Sequence, residues 1–427
     1  MTKVVVFWCV DKNMSILIKN VQLESNLVDI LIEGNLIKKI GRDLNETTDQ
    51  IINARDKVAL PGLINAHTHA AMTMLRGYAD DLPLQKWLKE KIWPAEAKLT
   101  SEDIYWGSKL ACLEMIKSGT TCFCDMYWQP EATIKAAGEM GLRAFIGLLL
   151  IDFDKRGQKE FVAEQYQKLK PKLNSRLNLT LGPHSIYTVK RENLLWTKKF
   201  ASENNLLIHM HLAETQPEVN DCLKQHRLRP LEYLASFDFL GPEIIFAHAV
   251  WLNDKEIELL AKAGSSVVYN PTSNMKLSSG IMPYQKLAQA GVNILLGTDG
   301  VSSNNNLDLF EEMKFGGLLQ KVSLSDPTIL PAEECFNLTT VNAAPFFKLP
   351  MGEIKEGNLA DLILLDLNQP ELVPNYNLIS NLVYSNPGHC VDTVICDGRL
   401  LMQNRVVKDE EEIIEKCQKI SQKFKKG

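Results

Sequence analysis

Eight apolar runs recur between residues 57 and 300, most of them separated by stretches of helical character. They read VALPGLINAHTH, TTCFCDMY, LRAFIGLLL, LNLTLGPHS, NLLIHMHLAE, IIFAHAV, SSVVYNP and VNILLGTDG. Runs of this length and composition, bounded by turn residues, predict strands buried in a sheet. Residues 101–118 predict one of the intervening helices, with Thr100 as its N-cap, Asp103 near the capping-box position and Gly119 as its stop. Eight buried strands with helices between them predict an α/β chain folded as a (β/α)8 TIM barrel.

The two ends of the chain have a different texture. SILIKNV and LVDILIEG are β-rich, with Gly34-Asn35 as a turn before LIKKIG. Near the other end, ADLILLDL reads as a strand and DTVICDGRLLMQN as a hairpin turning at Asp397-Gly398. The two pieces are expected to pair into one small β-sandwich module. Residues 1–60 would form its N-terminal part, 61–350 the barrel, and 351–427 its C-terminal part and a terminal helix. The apolar run at 4–10 is too short to span a bilayer and lacks a cleavage site, so residues 1–13 read as an extension. A net charge of −5, with acids and bases mixed along the chain, offers no basic patch for nucleic acid or an anionic membrane. The nine cysteines are scattered without CxxC spacing. They read as reduced core thiols of a cytoplasmic protein, and Cys122 and Cys124 share one strand face.

In a (β/α)8 barrel, chemistry sits at the carboxyl ends of the strands. Only eight histidines occur in 427 residues, and five of them, His67, His69, His184, His211 and His248, fall at predicted strand ends. Asp299 ends the eighth run. Side chains at i and i+2 of a strand share a face, so His67 and His69 can hold one cation together. A third imidazole and a carboxylate would complete a site suited to Zn²⁺, with Fe²⁺ and Mn²⁺ as alternatives. His209 and His211 stand in the same i, i+2 relation. His211 lies nearer the strand end and is taken as the ligand, with His209 behind it. His226 reads as a surface residue and His389 as a structural one.

With these residues in place, the chain resembles the amidohydrolase superfamily. Within it the chain is similar to the 5′-methylthioadenosine/S-adenosylhomocysteine deaminases and their 5′-deoxyadenosine and adenosine deaminating relatives. The resemblance runs from about residue 15 to about residue 407, through PGLINAHTHAAMTMLRGYADDLPLQKWL, HMHLAET, AHAVWL, NPTSNMKLSSG, LGTDGVSSNNNLDLFEEM and GEIKEGNLADLILLD, in that order. It implies one divalent metal per chain, most naturally Zn²⁺, held by His67, His69, His211 and Asp299. LGPHS carries His184 where two-metal relatives carry a lysine. It further implies that Trp87 and Glu96 come from the loop after the first strand. Glu96 would accept hydrogen bonds from a ribose diol, and Trp87 would offer an apolar face. His184 would touch the nucleoside and Ser303 the purine edge. The group often carries arginines after the third strand; here AFIGLLLIDFDKRGQKE offers only Arg156, which leaves the 5′ substituent open.

The expected reaction is hydrolytic deamination at C6 of an adenosine-type nucleoside. Asp299 would take the first proton from water, Glu214 would protonate N1, and His248 would orient the nucleophile. The P-C-x-x-C string of the cytidine-deaminase design does not occur. Two rivals stand beside this expectation: a guanine-type or triazine hydrolase on the same scaffold, which would not need Glu96, and a non-catalytic binding relative. A homo-oligomer is expected from the resemblance alone.

Overall fold

The structure is a computed structural model describing residues 14–385 and 388–424; the extension read at residues 1–13 lies outside them. Five strands come first: β1 (Ser15–Leu23), β2 (Asn26–Glu33), β3 (Leu36–Gly41), β4 (Gln50–Asn53) and β5 (Lys57–Pro61). Eight follow: β6 (Leu63–Thr68), β7 (Thr120–Tyr127), β8 (Arg143–Leu150), β9 (Leu177–Pro183), β10 (Ile208–Leu212), β11 (Ile244–His248), β12 (Ser266–Tyr269) and β13 (Ile294–Leu296). The last four are β14 (Leu362–Asp366), β15 (Val391–Cys396), β16 (Arg399–Gln403) and β17 (Val406–Val407).

Strands β6 to β13 pair in sequence order, each parallel to the next, as the alternation of strands and helices predicts. A parallel bridge between Thr68 and Asp299 brings the first strand back beside the last. Side chains stitch this seam. The Asn65 amide donates to Thr298 Oγ1 at 2.8 Å, and its oxygen accepts the Thr298 N–H at 3.1 Å. The Asp299 N–H donates to the His67 carbonyl at 3.0 Å, so two expected ligands are tied through their backbones. The helix Ser101–Lys117 begins with the expected capping box between Thr100 and Asp103. Ile64, Ala66, Cys122, Cys124, Phe145, Ile245, Val268 and Leu295 form a core that Ala343, Ala344, Phe346 and Phe347 extend. The barrel is therefore packed with side chains.

One sequence expectation needs correction. VALPGLINAHTH is two strands in two sheets: β5 lies antiparallel to β14, and β6 opens the barrel. The switch occurs at Gly62, whose N–H donates to the Asp361 carbonyl at 3.0 Å and where any Cβ would collide with the Thr121 side chain. Both strands are largely buried, so the apolar run hides the change of sheet.

The two chain ends build one nine-stranded sheet in the order β17-β16-β15-β14-β5-β1-β2-β3, with β4 added on β1. Its arms fold over each other: the Asn35 amide in the β2–β3 turn donates to Asp397 Oδ1 in the β15–β16 turn at 3.3 Å. Ile16, Ile18, Ile30, Ile32, Leu362, Leu364 and Ile395 fill the space between. Beyond this sheet, the helix Glu410–Ser421 docks on the helix Ser101–Lys117, where Cys417 Sγ lies 3.3 Å from the Trp106 carbonyl. The eight described cysteines are buried free thiols. No helix among the described residues is long and apolar enough to cross a membrane.

Candidate metal centre and substrate cleft

Four side chains from three strand ends converge on one point. His67 lies in β6 and His69 just beyond it, His211 in β10, and Asp299 follows β13. His67 Nε2 and His69 Nε2 stand 3.3 and 3.2 Å from Asp299 Oδ1, and His211 Nε2 stands 3.3 Å from His69 Nε2. A tetrahedral ion with bonds of 2.0–2.1 Å has donor–donor edges of about 3.3–3.4 Å. These three separations match such edges, and the donor atoms of His67, His69 and His211 lie within 4.8 Å of one another, as a shared cation of zinc size requires.

The orientation of the rings has a local cause. His69 Nδ1 donates to the Met126 carbonyl at 2.6 Å and His211 Nδ1 to the His184 carbonyl at 2.8 Å. His67 Nδ1 lies 2.7 Å from His209 Nε2, and His209 Nδ1 lies 3.5 Å from Cys124 Sγ. With Nδ1 protonated in each ring, every Nε2 lone pair faces the centre. His67 Nε2 is buried without a hydrogen-bond partner, as suits an imidazole lone pair directed at a metal. Charge points the same way. Burial opposes a proton on His69, yet the Asp299 carboxylate lifts its pKa to about 9. Burial lowers His67 to about 4.

Strain collects here as well. His248 (φ 72°) and Asp299 (φ 60°) both adopt left-handed backbone, unusual outside glycine, at the ends of their strands. Asp125, also buried, accepts from Thr68 Oγ1 at 3.1 Å and from the Ala70 N–H at 2.6 Å, bracketing His69.

One segment that the sequence left without roles, NPTSNMKLSSG after β12, holds three reactive groups. Ser273 donates to Asp299 Oδ2 at 2.6 Å, Asn274 Oδ1 accepts from His248 Nδ1 at 2.9 Å, and Ser279 donates to Glu214 Oε1 at 2.9 Å. Short uncharged side chains in a motif were its only signal. Glu214 Oε2 lies 3.9 Å from His248 Nε2. Burial raises the Glu214 carboxyl above its ordinary range. The backbone around Glu214 is fixed by Glu218, whose carboxylate accepts the Ala213 and Glu214 N–H groups at 2.8 and 2.9 Å.

These groups face a cleft of about 680 Å³, its mouth included. Met72, Leu84, Trp87, Leu88, Trp93, Met126, Leu149 and Ile151 give it apolar walls, and Glu96, His184, Glu214, His248, Asp299 and Ser303 supply polar groups. The Trp87 indole donates to the Ala79 carbonyl at 2.9 Å. Glu96 is buried, which pushes its carboxyl up to about 6 against the opposing influence of Tyr127 and His69. His184 Nδ1 meets Ser185 and Thr188 hydroxyls at 3.1 and 3.0 Å. Ser303 donates to Asp299 Oδ2 at 2.9 Å while lining the cleft. Arg156 stands outside this lining; it stacks 4.4 Å over Trp128 and pairs with Asp154 at 2.6 Å. His226 stacks on Tyr233 at 4.0 Å, and His389 pairs with Glu371 at 3.2 Å, both away from the cleft.

The sequence pattern of the amidohydrolase family matches residues 58–401. The 5′-deoxyadenosine deaminase of Methanoregula boonei is 46% identical over 412 residues, covering 94% of this chain and 93% of that protein. The 5-methylthioadenosine/S-adenosylhomocysteine deaminase of Thermococcus sibiricus is 46% identical, covering 91% of this chain and 94% of that one. Among solved structures, an adenosine deaminase from Xanthomonas campestris with bound zinc superposes with a TM-score of 0.92 at 30% identity, covering 96% of this chain and 99% of that one.

Proposed function

The chain belongs to the amidohydrolase family, and on that premise we propose that it is a metal-dependent hydrolytic deaminase of adenosine-type nucleosides. Water replaces the 6-amino group, ammonia leaves, and the 6-oxo purine remains. The observation that carries this is a chain of donor atoms, His67 and His69 Nε2 at 3.3 and 3.2 Å from Asp299 Oδ1 and His211 Nε2 at 3.3 Å from His69 Nε2, set beside Glu214 and His248 in one cleft that also holds a buried Glu96.

His67, His69, His211 and Asp299 would hold one divalent cation, most naturally Zn²⁺. When bound, such an ion lowers the pKa of a water from about 15.7 towards about 7. Asp299 would take the first proton from the attacking water and pass it to the amino group as that group departs as ammonia. Its Oδ2 is held by Ser273 and Ser303. Glu214, whose carboxyl burial raises above its ordinary range, gives a proton to N1 as water adds to C6 and regains one from the new C6 hydroxyl as the 6-oxo group forms. His248, fixed through Nδ1 by Asn274, presents Nε2 towards Glu214 and the attacking water. Glu96 accepts both ribose hydroxyls, Trp87 and His184 pack on the nucleoside, and Ser303 meets the purine edge. The walls formed by Leu149 and Ile151 favour an apolar 5′ group, such as a methyl or methylthio group, over a charged tail.

Ammonia release from metal-loaded protein tests this, with adenosine, 5′-deoxyadenosine, methylthioadenosine, S-adenosylhomocysteine, adenine and guanine as substrates. The 5′-deoxy or methylthio nucleoside should be fastest. Release from guanine alone would reverse the assignment. The Glu214→Gln variant should keep its metal by elemental analysis and lose about 10²–10⁴ in kcat. A near wild-type rate would remove Glu214 as proton donor.

A further inference from the structure

One helix carries both Trp87 and Glu96. It is α-helical over Leu84–Trp87, a π-helix over Leu88–Ile92, and α-helical again over Trp93–Glu96. In an unbroken α-helix each residue turns by ~100°, so the nine steps from Trp87 to Glu96 would amount to about 900°. That is two and a half turns, which puts the two side chains on opposite sides. Both nevertheless line the cleft, together with Leu84, Leu88 and Trp93.

The π turn accounts for this. The Trp93 N–H donates to the carbonyl of Leu88, five residues back. One extra residue in that turn takes back about 100° of rotation from Trp93 onward. Leu84, Trp87 and Leu88 then fall in one stripe with Trp93 and Glu96. The sequence cause is the next residue. Pro94 has no N–H, and in an α-helix its ring would strike the carbonyl of Glu90, four residues earlier. Widening the preceding turn relieves that collision. Pro94 itself is exposed, so it buries little that a substitution would uncover.

We propose that Pro94 is a positioning residue for ribose recognition: by imposing the π turn it rotates Glu96 into the cleft beside Trp87. This rests on the assignment of Glu96 as the acceptor of the ribose diol.

The test compares kcat/KM for adenosine and 2′,3′-dideoxyadenosine in wild-type, Pro94→Ala and Glu96→Ala proteins. A hydrogen bond to a charged group is worth roughly 10–100-fold. The adenosine preference should therefore fall at least ~10-fold in Pro94→Ala, mainly through KM, with bound metal unchanged; the displacement of the Trp93 wall is shared by both substrates and cancels in their ratio. Deleting Lys91 in the Pro94→Ala background removes the extra residue, and the preference should return. If Glu96→Ala abolishes the preference and Pro94→Ala leaves it intact, the π turn does not aim Glu96 and the proposal fails. If Glu96→Ala leaves the preference intact, the diol assignment itself fails and takes the proposal with it.

Discussion

At the scale of single residues, the cleft holds carboxyl groups in two different conditions. Asp299 is kept well below the ordinary carboxylate range by His67 and His69, although burial opposes this, so it stays charged and ready to ligate. Glu96 is pushed up to about 6, chiefly by burial. Tyr127, Trp128 and His69, and the charge of Arg156 from outside the lining, pull the other way without overcoming burial. Above that value it is a carboxylate with acceptors for two hydroxyls; below it, one oxygen carries a proton and an acceptor is lost. The preference for adenosine over 2′,3′-dideoxyadenosine should therefore decline as pH falls through about 6. Taking the ratio of the two substrates cancels any protonation of the histidine centre, which both share. Glu96→Gln should flatten the dependence. A wild-type ratio that stays constant between about pH 5 and about pH 8 would contradict it.

At the scale of elements, the sequence shows where strands end better than what surrounds those ends. His67, His69, His211, His248 and Asp299 are legible because polar groups at the close of apolar runs are rare and barrel geometry gathers them. Ser273, Asn274 and Ser279 are not, because short neutral side chains look alike in a turn, a helix or a site. The π turn is equally hidden: WPAE reads as an ordinary helix start with proline in its first turn. VALPGL hides its change of sheet for a third reason, that burial on both sides erases the boundary. The barrel seam is another such place. Gly297 follows β13 directly, and a Cβ there would lie 2.8 Å from the His67 nitrogen and 2.9 Å from the His67 Cβ. Gly297→Ala should force β6 and β13 apart, costing about 1–3 kcal/mol of stability as overpacking does. Because the displaced residue is His67, metal affinity should fall with it. Urea unfolding and competition with a chelator measure the two effects. A loss of stability with unchanged metal affinity would show that the seam yields on the β13 side alone.

At the scale of the whole molecule, the end-built sheet and the barrel are joined by a charge cluster that no local pattern announces. Arg143, the first residue of β8, is fully buried; its guanidinium reaches Asp361 at 2.9 Å and Asp397 at 3.0 Å, and Arg176 stands 3.5 Å from Asp397. The strand textures of the two chain ends suggest that they pair. Four charged residues far apart in sequence each look like surface groups until the fold brings them together. The cluster sits at the start of β8, whereas Leu149 and Ile151 at its far end line the cleft. At about 3.3 Å per residue the separation is roughly 20 Å. Removing one partner of a buried ion pair leaves uncompensated charge and costs about 3–5 kcal/mol. Arg143→Ala strands Asp361 and leaves Asp397 with Arg176 alone, so its unfolding free energy in urea should fall by about that much. Protein that remains folded should deaminate with kcat/KM within about twofold of wild type, since uniform loss of stability leaves transition-state contacts intact. Loss of activity in fully folded Arg143→Ala protein would mean that the sheet shapes the cleft through β8 rather than merely anchoring the barrel.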